Sequence, residues 1–322
     1  MLTNRIDVII PLYNRKHLIP DLIETLEGQT YRNFRVIFVD DGSSDGTFEA
    51  LQTMLEDVSF SSLLLHQENK GPSAARNEGI KYATAEWIVF TDSDDVLKAE
   101  YLEFLHGAVA GKNVEMGFCQ LEVIPFGSKK QLTPAGILDC NVISASEAMK
   151  FHYSQWIAPV CLILNREWVQ KNRLKYDEGC RYCEDLMFIT ECIDSANFTC
   201  KVSNSLYVYR THEGSLLRSS DTAKYIDGLK GFSHLESKMN QSESEAARVF
   251  RNMGKARFLL GILRKSALQF SRKDFLDFSK TVNYKDYHFQ IRNLPTMQRL
   301  AGILYSFSRN LFYLFTNIFF DD

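Results

Sequence analysis

The chain has 322 residues, 45% of them hydrophobic and 24% charged, which excludes a disordered, collagen-like or coiled-coil protein and allows one large domain or two ordinary ones. Its formal charge of −3 hides a split: Arg248 to Arg309 carries 13 Lys/Arg against three acids, a net of +10, which leaves the rest of the chain at −13. Seven cysteines, an odd number scattered from Cys119 to Cys200, and an N-terminus without an apolar signal core predict free thiols in a reducing, cytoplasmic setting.

Asp7-Val-Ile-Ile10 reads as a buried strand, followed by an amphipathic helix from Lys16 to Leu26. A second strand, Arg35 to Val39, stops at Asp40-Asp-Gly-Ser-Ser-Asp-Gly46; a helix over Thr47–Glu56 and a strand at Leu63–Leu65 follow. Pro72 to Tyr82 is helical, and Glu86–Phe90 is a fourth strand ending at Thr91-Asp-Ser-Asp-Asp95. Apolar strands separated by helices imply parallel pairing with helices on both faces, and ligands in such sheets sit beyond the carboxyl ends of the strands. The polar clusters Pro11–Asn14, Asp40-Asp41, Asn69 and Asp92–Asp94 all fall on that rim. Beyond Val96 the alternation is irregular, with helices predicted at Ala99–Ala110, Ala145–Tyr153, Glu167–Asn172 and Glu184–Ser195, and strands at Val114–Val123, Val160–Leu164 and Leu206–Arg210. From Thr222 onward the pattern is helical. Leu300 to Phe320 reads as an amphipathic helix, interrupted by too many polar residues to span a membrane.

The first strand-to-helix turn has no Gly-x-Gly-x-x-Gly, and there is no P-loop, no His-Glu-x-x-His and no Gly-x-Ser-x-Gly. Asp92-Ser-Asp94 by itself fits a turn or a helix cap as well as a site for a hard cation shared with phosphates. A carboxylate at a strand's end, such as Asp41, can accept the imino N–H of a uracil ring. The Asn69–Asn77 segment offers amide and guanidinium donors suited to base carbonyls or phosphate, although Arg76 would serve equally in a surface ion pair. Glu184-Asp185 alone would suit a capped helix start. Cys180-x-x-Cys183 lacks a matching second knuckle with Cys192 and Cys200, which argues against zinc. Trp156 and Tyr182 suit sugar stacking or core packing.

In combination, Val8-Ile-Ile-Pro-Leu-Tyr-Asn14, Val39-Asp-Asp-Gly-Ser43, Asn69 through Asn77, Phe90-Thr-Asp-Ser-Asp-Asp95, Glu184-Asp185 and Tyr207-Val-Tyr-Arg-Thr-His212 resemble the inverting family 2 glycosyltransferases of GT-A fold, of the bacterial surface-glycan type. The resemblance covers about Ile6 to Leu217. It implies an α/β fold, a GT-A-type mostly parallel sheet with helices on both faces, followed by a helical C-terminal region. A catalytic domain would span about 1–220, its nucleotide half 1–97 and acceptor half 98–220, and a basic amphipathic region 221–322. On that resemblance Pro11, Tyr13 and Asn14 frame the nucleotide, Asp41 reads uracil with Asn69 and Arg76 nearby, Asp92 approaches the ribose, and Ser93 is a further nucleotide-binding residue. Asp94 and His212 bind Mn²⁺ or Mg²⁺, Asp185 is the catalytic base, and Glu184 and Trp156 lie on the acceptor side.

The implied reaction is transfer from a UDP-sugar to a saccharide, or lipid-linked saccharide, acceptor in surface polysaccharide assembly. A non-catalytic nucleotide-sugar sensor or scaffold is the alternative. The basic C-terminal segment, with its wide apolar face, predicts peripheral contact with anionic lipid on the inner face of the cell membrane rather than nucleic-acid binding. Packing on its own domain is the competing role.

Overall fold

The structure, a computed structural model, describes residues 5–127, 133–180, 182–211, 222–282, 288–294 and 296–319. Strands β1 (Ile6–Leu12), β2 (Phe34–Asp40), β3 (Ser61–His66) and β4 (Trp87–Phe90) alternate with helices α1 (Ile19–Glu27), α2 (Thr47–Met54) and α3 (Pro72–Tyr82). They pair in the order β3-β2-β1-β4, all parallel. The apolar runs are continuous because both faces are covered. Ile9, Ile37, Val39, Ile88 and Phe90 enter one core, while Val8, Ile10, Val36, Phe38 and Val89 enter the other, the two-residue period of a strand. Helix α3 lies so close to β1 that a Cβ on Gly79 would meet Ile9 Cγ2 at 2.3 Å.

Asp7 is the one charge in the β1 run, and it is fully buried. It is compensated on all sides: Arg35 Nε and Nη2 donate to its two oxygens at 2.8 Å each, and the Thr84 and Ala85 N–H groups donate at 2.6 and 2.9 Å.

Beyond β4 the sheet becomes mixed. The remaining strands are β5 (Val96–Leu97), β6 (Met116–Pro125), β7 (Cys140–Ser144), β8 (Leu162–Asn165) and β9 (Phe198–Thr211). The order continues β4-β8-β6-β9-β5, with β7 also on β9. β8 runs antiparallel to β4 and β6, β6 and β9 are parallel, and β5 and β7 are antiparallel to β9. Helices α4 (Tyr101–Val109), α5 (Ala145–Gln155), α6 (Arg166–Lys171) and α7 (Glu184–Ser195) accompany them. The sequence pattern finds α3 and α7 to the residue; it misses β5, β7 and the first half of β9. A two-residue strand has no period to read, and β7 and the Lys201–Ser205 stretch are partly polar.

The C-terminal region is helical: α8 (Thr222–Gln241), α9 (Glu245–Val249), a π-turn at Phe250–Gly254, α10 (Lys255–Gln269), α11 (Arg272–Ser279), α12 (His288–Ile291), α13 (Thr296–Phe307) and α14 (Arg309–Phe319). The expected single amphipathic helix from Leu300 is in fact two. They meet at Ser308, whose Oγ accepts from the Leu311 N–H at 3.4 Å. Ala301, Tyr305 and Phe312 are buried in the same core as Phe90 and α7, so these helices do pack on the chain's own body. Leu300, Ile303, Leu311 and Leu314 remain exposed on the outside.

Candidate active site

Two polar turns of the parallel half are tied together at one rim. After β1 the backbone turns left-handed at Asn14, φ 53°. Its N–H donates to Ser43 Oγ and its Oδ1 accepts from the Ser44 N–H, both at 2.9 Å. Pro11 is half-buried at the end of β1, and Tyr13 stands out from the turn, 46% exposed.

Asp41 follows β2 and is buried. Its Oδ1 accepts from Gln67 Nε2 at 2.7 Å and the Lys70 N–H at 2.9 Å, and its Oδ2 accepts from the Gly71 N–H at 2.8 Å. The carboxylate therefore builds the loop leading into α3, with one acceptor position left on Oδ2. The two loops touch: a Cβ on Gly42, φ +73°, would lie 2.8 Å from the Asn69 backbone nitrogen, so glycine is required there. The Asn69 side chain is exposed beside this contact.

Arg76, on α3, is the centre of the site. Only 6% of its side chain is exposed, yet Nη2 donates to Asp92 Oδ1 at 2.9 Å and Nη1 lies 3.7 Å from Asp185 Oδ1. The guanidinium sits over the Tyr176 ring, 5.3 Å from its centroid, and Tyr176 stacks on Phe188 of α7 with centroids 4.0 Å apart. Burial alone would disfavour the charge; Asp92 and then Asp185 more than offset it and drive the Arg76 pKa up.

The turn after β4 is organised from β9. Tyr207, fully buried, donates its hydroxyl to Asp95 Oδ2 at 2.8 Å and accepts from the Asp92 N–H at 3.1 Å. The Arg210 N–H donates to Asp95 Oδ1 at 2.8 Å, and its Nε donates to the Asp94 carbonyl oxygen. Ser93 is buried in this turn, and Asp94 Oδ2 lies 3.7 Å from Arg15 Nη2. Burial first, and then the Asp92 and Asp94 charges, push the Asp95 carboxyl up to about 8. Crowded hard-oxygen ligands of this kind fit Mg²⁺ or Mn²⁺. Among the described residues, no cluster of three or more His, Cys, Asp or Glu side chains is arranged to hold a metal, and His212 lies outside those residues.

Glu184 and Asp185 open α7. Asp185 Oδ1 is buried and faces Arg76, while the side chain as a whole is 31% exposed. Burial pushes its carboxyl up and Arg76 pulls it back. Burial, and then Asp185, push Glu184 up to about 7. Trp156, at the end of α5, is 45% exposed with φ 64° and stacks on buried His152 at 5.3 Å. His152 lies beside the Leu186 backbone, which puts Trp156 on the α7 side of the site.

Arg76, Asp92 and Asp185 thus meet directly, with Ser93 and Asp94 in the adjoining turn, while Pro11–Asn14, Asp41 and Asn69 form the neighbouring rim. Arg15, Tyr176, Tyr207 and Arg210 also position the site; Tyr207 and Arg210 lie inside the Tyr207–His212 motif, whereas Arg15 and Tyr176 carry no signal of their own in the sequence. They act through contacts formed only by the fold.

Residues 7–127 match the family model described as glycosyl transferase family 2. The uncharacterised glycosyltransferase YibD of Escherichia coli K12 is 29% identical over 222 residues, 67% of this chain and 64% of that protein. Glycosyltransferase GlyG of Streptococcus pneumoniae is 29% identical over 226 residues, 66% of this chain and 73% of that one. The chain therefore spans about two thirds of the length of these relatives. Among solved structures, S. aureus TarS 1-349 in complex with UDP-GlcNAc superposes with a TM-score of 0.63 at 19% identity, covering 95% of this chain and 82% of that one. At that identity the likeness establishes the fold, the GT-A arrangement of sheet and helices.

Proposed function

We propose that this chain, whose residues 7–127 match the glycosyl transferase family 2 model, moves a sugar from a UDP-sugar to a hydroxyl of a saccharide acceptor, with inversion, in surface polysaccharide assembly. One observation carries this reading: a single buried guanidinium, Arg76, touches Asp92 on the nucleotide rim and Asp185 at the head of α7. A sugar projecting from a nucleotide on that rim would lie next to a carboxylate. UDP-GlcNAc in the TarS complex supports uridine as the base, and the position left on Asp41 Oδ2 suits the uracil N3–H.

Displacement with inversion needs one base opposite the leaving group and no covalent nucleophile. Asp185 takes that role: Arg76 holds its buried oxygen in place, and the exposed remainder of the carboxylate receives the proton of the acceptor hydroxyl. Tyr13 and the Asn14 turn bound the base, Asn69 lies at their edge, and Ser93 and Asp92 face the ribose. Asp94, with Asp92 and His212, would hold Mn²⁺ or Mg²⁺, which when bound neutralises charge on the leaving diphosphate. Trp156 and Glu184 would bound the acceptor.

Thermal-shift measurements with UDP, GDP, dTDP and CMP, each with and without Mn²⁺, test the donor site. UDP should stabilise the chain in a metal-dependent way, and Asp94→Ala should remove the metal dependence. Equal stabilisation with and without Mn²⁺, or a stronger response to another nucleotide, would reject this donor site.

The exposed Leu300, Ile303, Leu311 and Leu314 beside the basic segment support peripheral contact with anionic lipid. No helix among the described residues is long and apolar enough to cross a membrane. All seven cysteines are free thiols, which supports a cytoplasmic location. Vesicles with anionic lipid should retain the full chain at low salt and release it at high salt; no flotation at low salt would remove membrane contact from the account.

A further inference from the structure

Helix α10 carries a basic stripe that the donor reading leaves unused. Arg257, Gly261, Arg264 and Lys265 stand at i, i+4, i+7 and i+8, one face of a helix. That face abuts the acceptor side of the site at two places. Arg257 Nε donates to the Tyr153 carbonyl oxygen at 3.1 Å, in the last turn of α5 just before Trp156. Lys265 Nζ lies 5.9 Å from the centroid of the Tyr182 ring, two residues before Glu184. Lys224, from α8, approaches the same ring at 5.6 Å.

The cations are crowded. Burial and then the Arg264 charge lower Arg257, to about 10; burial lowers Lys265, Cys183 pulls it back up, and Arg264 and Arg257 add to the lowering. Gly261 leaves space in their midst, since a Cβ there would approach nothing closer than Arg257 Nη1 at 3.9 Å. Two guanidinium forks and an ammonium around an open position form a receptor for a multiply charged oxyanion.

Resting on the glycosyltransferase reading above, we propose that the acceptor carries a phosphate group close to the sugar that receives the transfer, and that Arg257, Arg264 and Lys265 hold that phosphate while a neighbouring hydroxyl faces Asp185. The group would be a phosphomonoester or a diphosphate, each with more than one negative charge, from a lipid diphosphate or from a water-soluble glycan phosphate. Phosphate is favoured over a carboxylate because three crowded positive charges match more than one negative charge.

The test is calorimetric titration of the full chain, first saturated with UDP and Mn²⁺ so that the donor site is filled. The probes are sn-glycerol 3-phosphate, farnesyl diphosphate and glucuronate. Both phosphates should bind more tightly than glucuronate. Arg264→Gln, at an exposed position, and Lys265→Met should each weaken phosphate binding about tenfold, with UDP affinity unchanged. Loss with both phosphate probes supports a phosphate site whatever its source, and loss with farnesyl diphosphate alone supports a lipid-borne one. Unchanged binding in both variants, no phosphate binding to the wild type, or tighter binding of glucuronate would overturn the proposal. If UDP itself fails to bind, the donor reading falls, and the same titrations on the UDP-free chain still decide this one.

Discussion

Asp185→Asn is expected to lower the turnover number by about three orders of magnitude, the middle of the range for a positioned general base, while the dissociation constant for UDP stays within about twofold. The asparagine keeps the shape of the side chain beside Arg76 but cannot take a proton. Steady-state transfer assays and UDP titration on one preparation separate the two effects, and substantial residual turnover would remove Asp185 from the base role. The wild-type pH profile carries the matching signature. Burial raises both carboxyls of the Glu184–Asp185 pair, Glu184 to about 7, and the base must be ionised. The specificity constant should therefore rise with pH through a limb that belongs to the pair and lies above the usual carboxylate range. The sign for stability is opposite. A carboxyl raised in the fold binds its proton more tightly there than in the unfolded chain, so this contribution falls as pH rises from about 4.5 to about 7.

Arg76→Met should do damage of a different kind. The guanidinium neutralises Asp92 and Asp185 from a buried position, so its loss leaves two carboxylates facing each other in a poorly solvated site. Removing one partner of such a buried network costs on the order of 3–5 kcal/mol, and chemical denaturation should register it. Nucleotide affinity and turnover should fall together, because one residue positions the groups on both sides of the reaction. Arg76→Lys keeps the charge but not the fork, and should restore stability more than turnover. If Arg76→Met lost turnover at unchanged stability and UDP affinity, the guanidinium would be acting on the acceptor alone and not as the link between the two halves.

The nucleotide half was legible because its physics is local. Strands covered on both faces read as apolar runs, and the polar turns that follow them lie on one rim, as the parallel arrangement requires. Helices α3 and α7 declare their ends through Pro72 and through Glu184-Asp185. What stayed hidden depends on partners distant in the chain. β5 and β7 exist only as neighbours of β9, and the break at Ser308 interrupts an apolar pattern that runs on through it. The roles within the site divide in the same way. Asp92, Asp94 and Asp185 could be picked out by motif. Arg76 suited a surface ion pair equally well, and only its burial between two carboxylates makes it the link between the two sides of the site. Asp41 is more structural than its motif suggests: three of its acceptor positions hold the loop that enters α3.

A nucleotide-sugar bound on this rim should be consumed by transfer. The most direct test is to incubate the purified chain with a panel of UDP-sugars, Mn²⁺ and saccharide acceptors, and to follow UDP release together with the anomeric proton of the product by NMR. UDP should be released from one sugar nucleotide, with a product of inverted anomeric configuration. Binding of UDP-sugars without turnover of any would contradict transfer in favour of a sensor or scaffold, and a product of retained configuration would contradict the single-base mechanism.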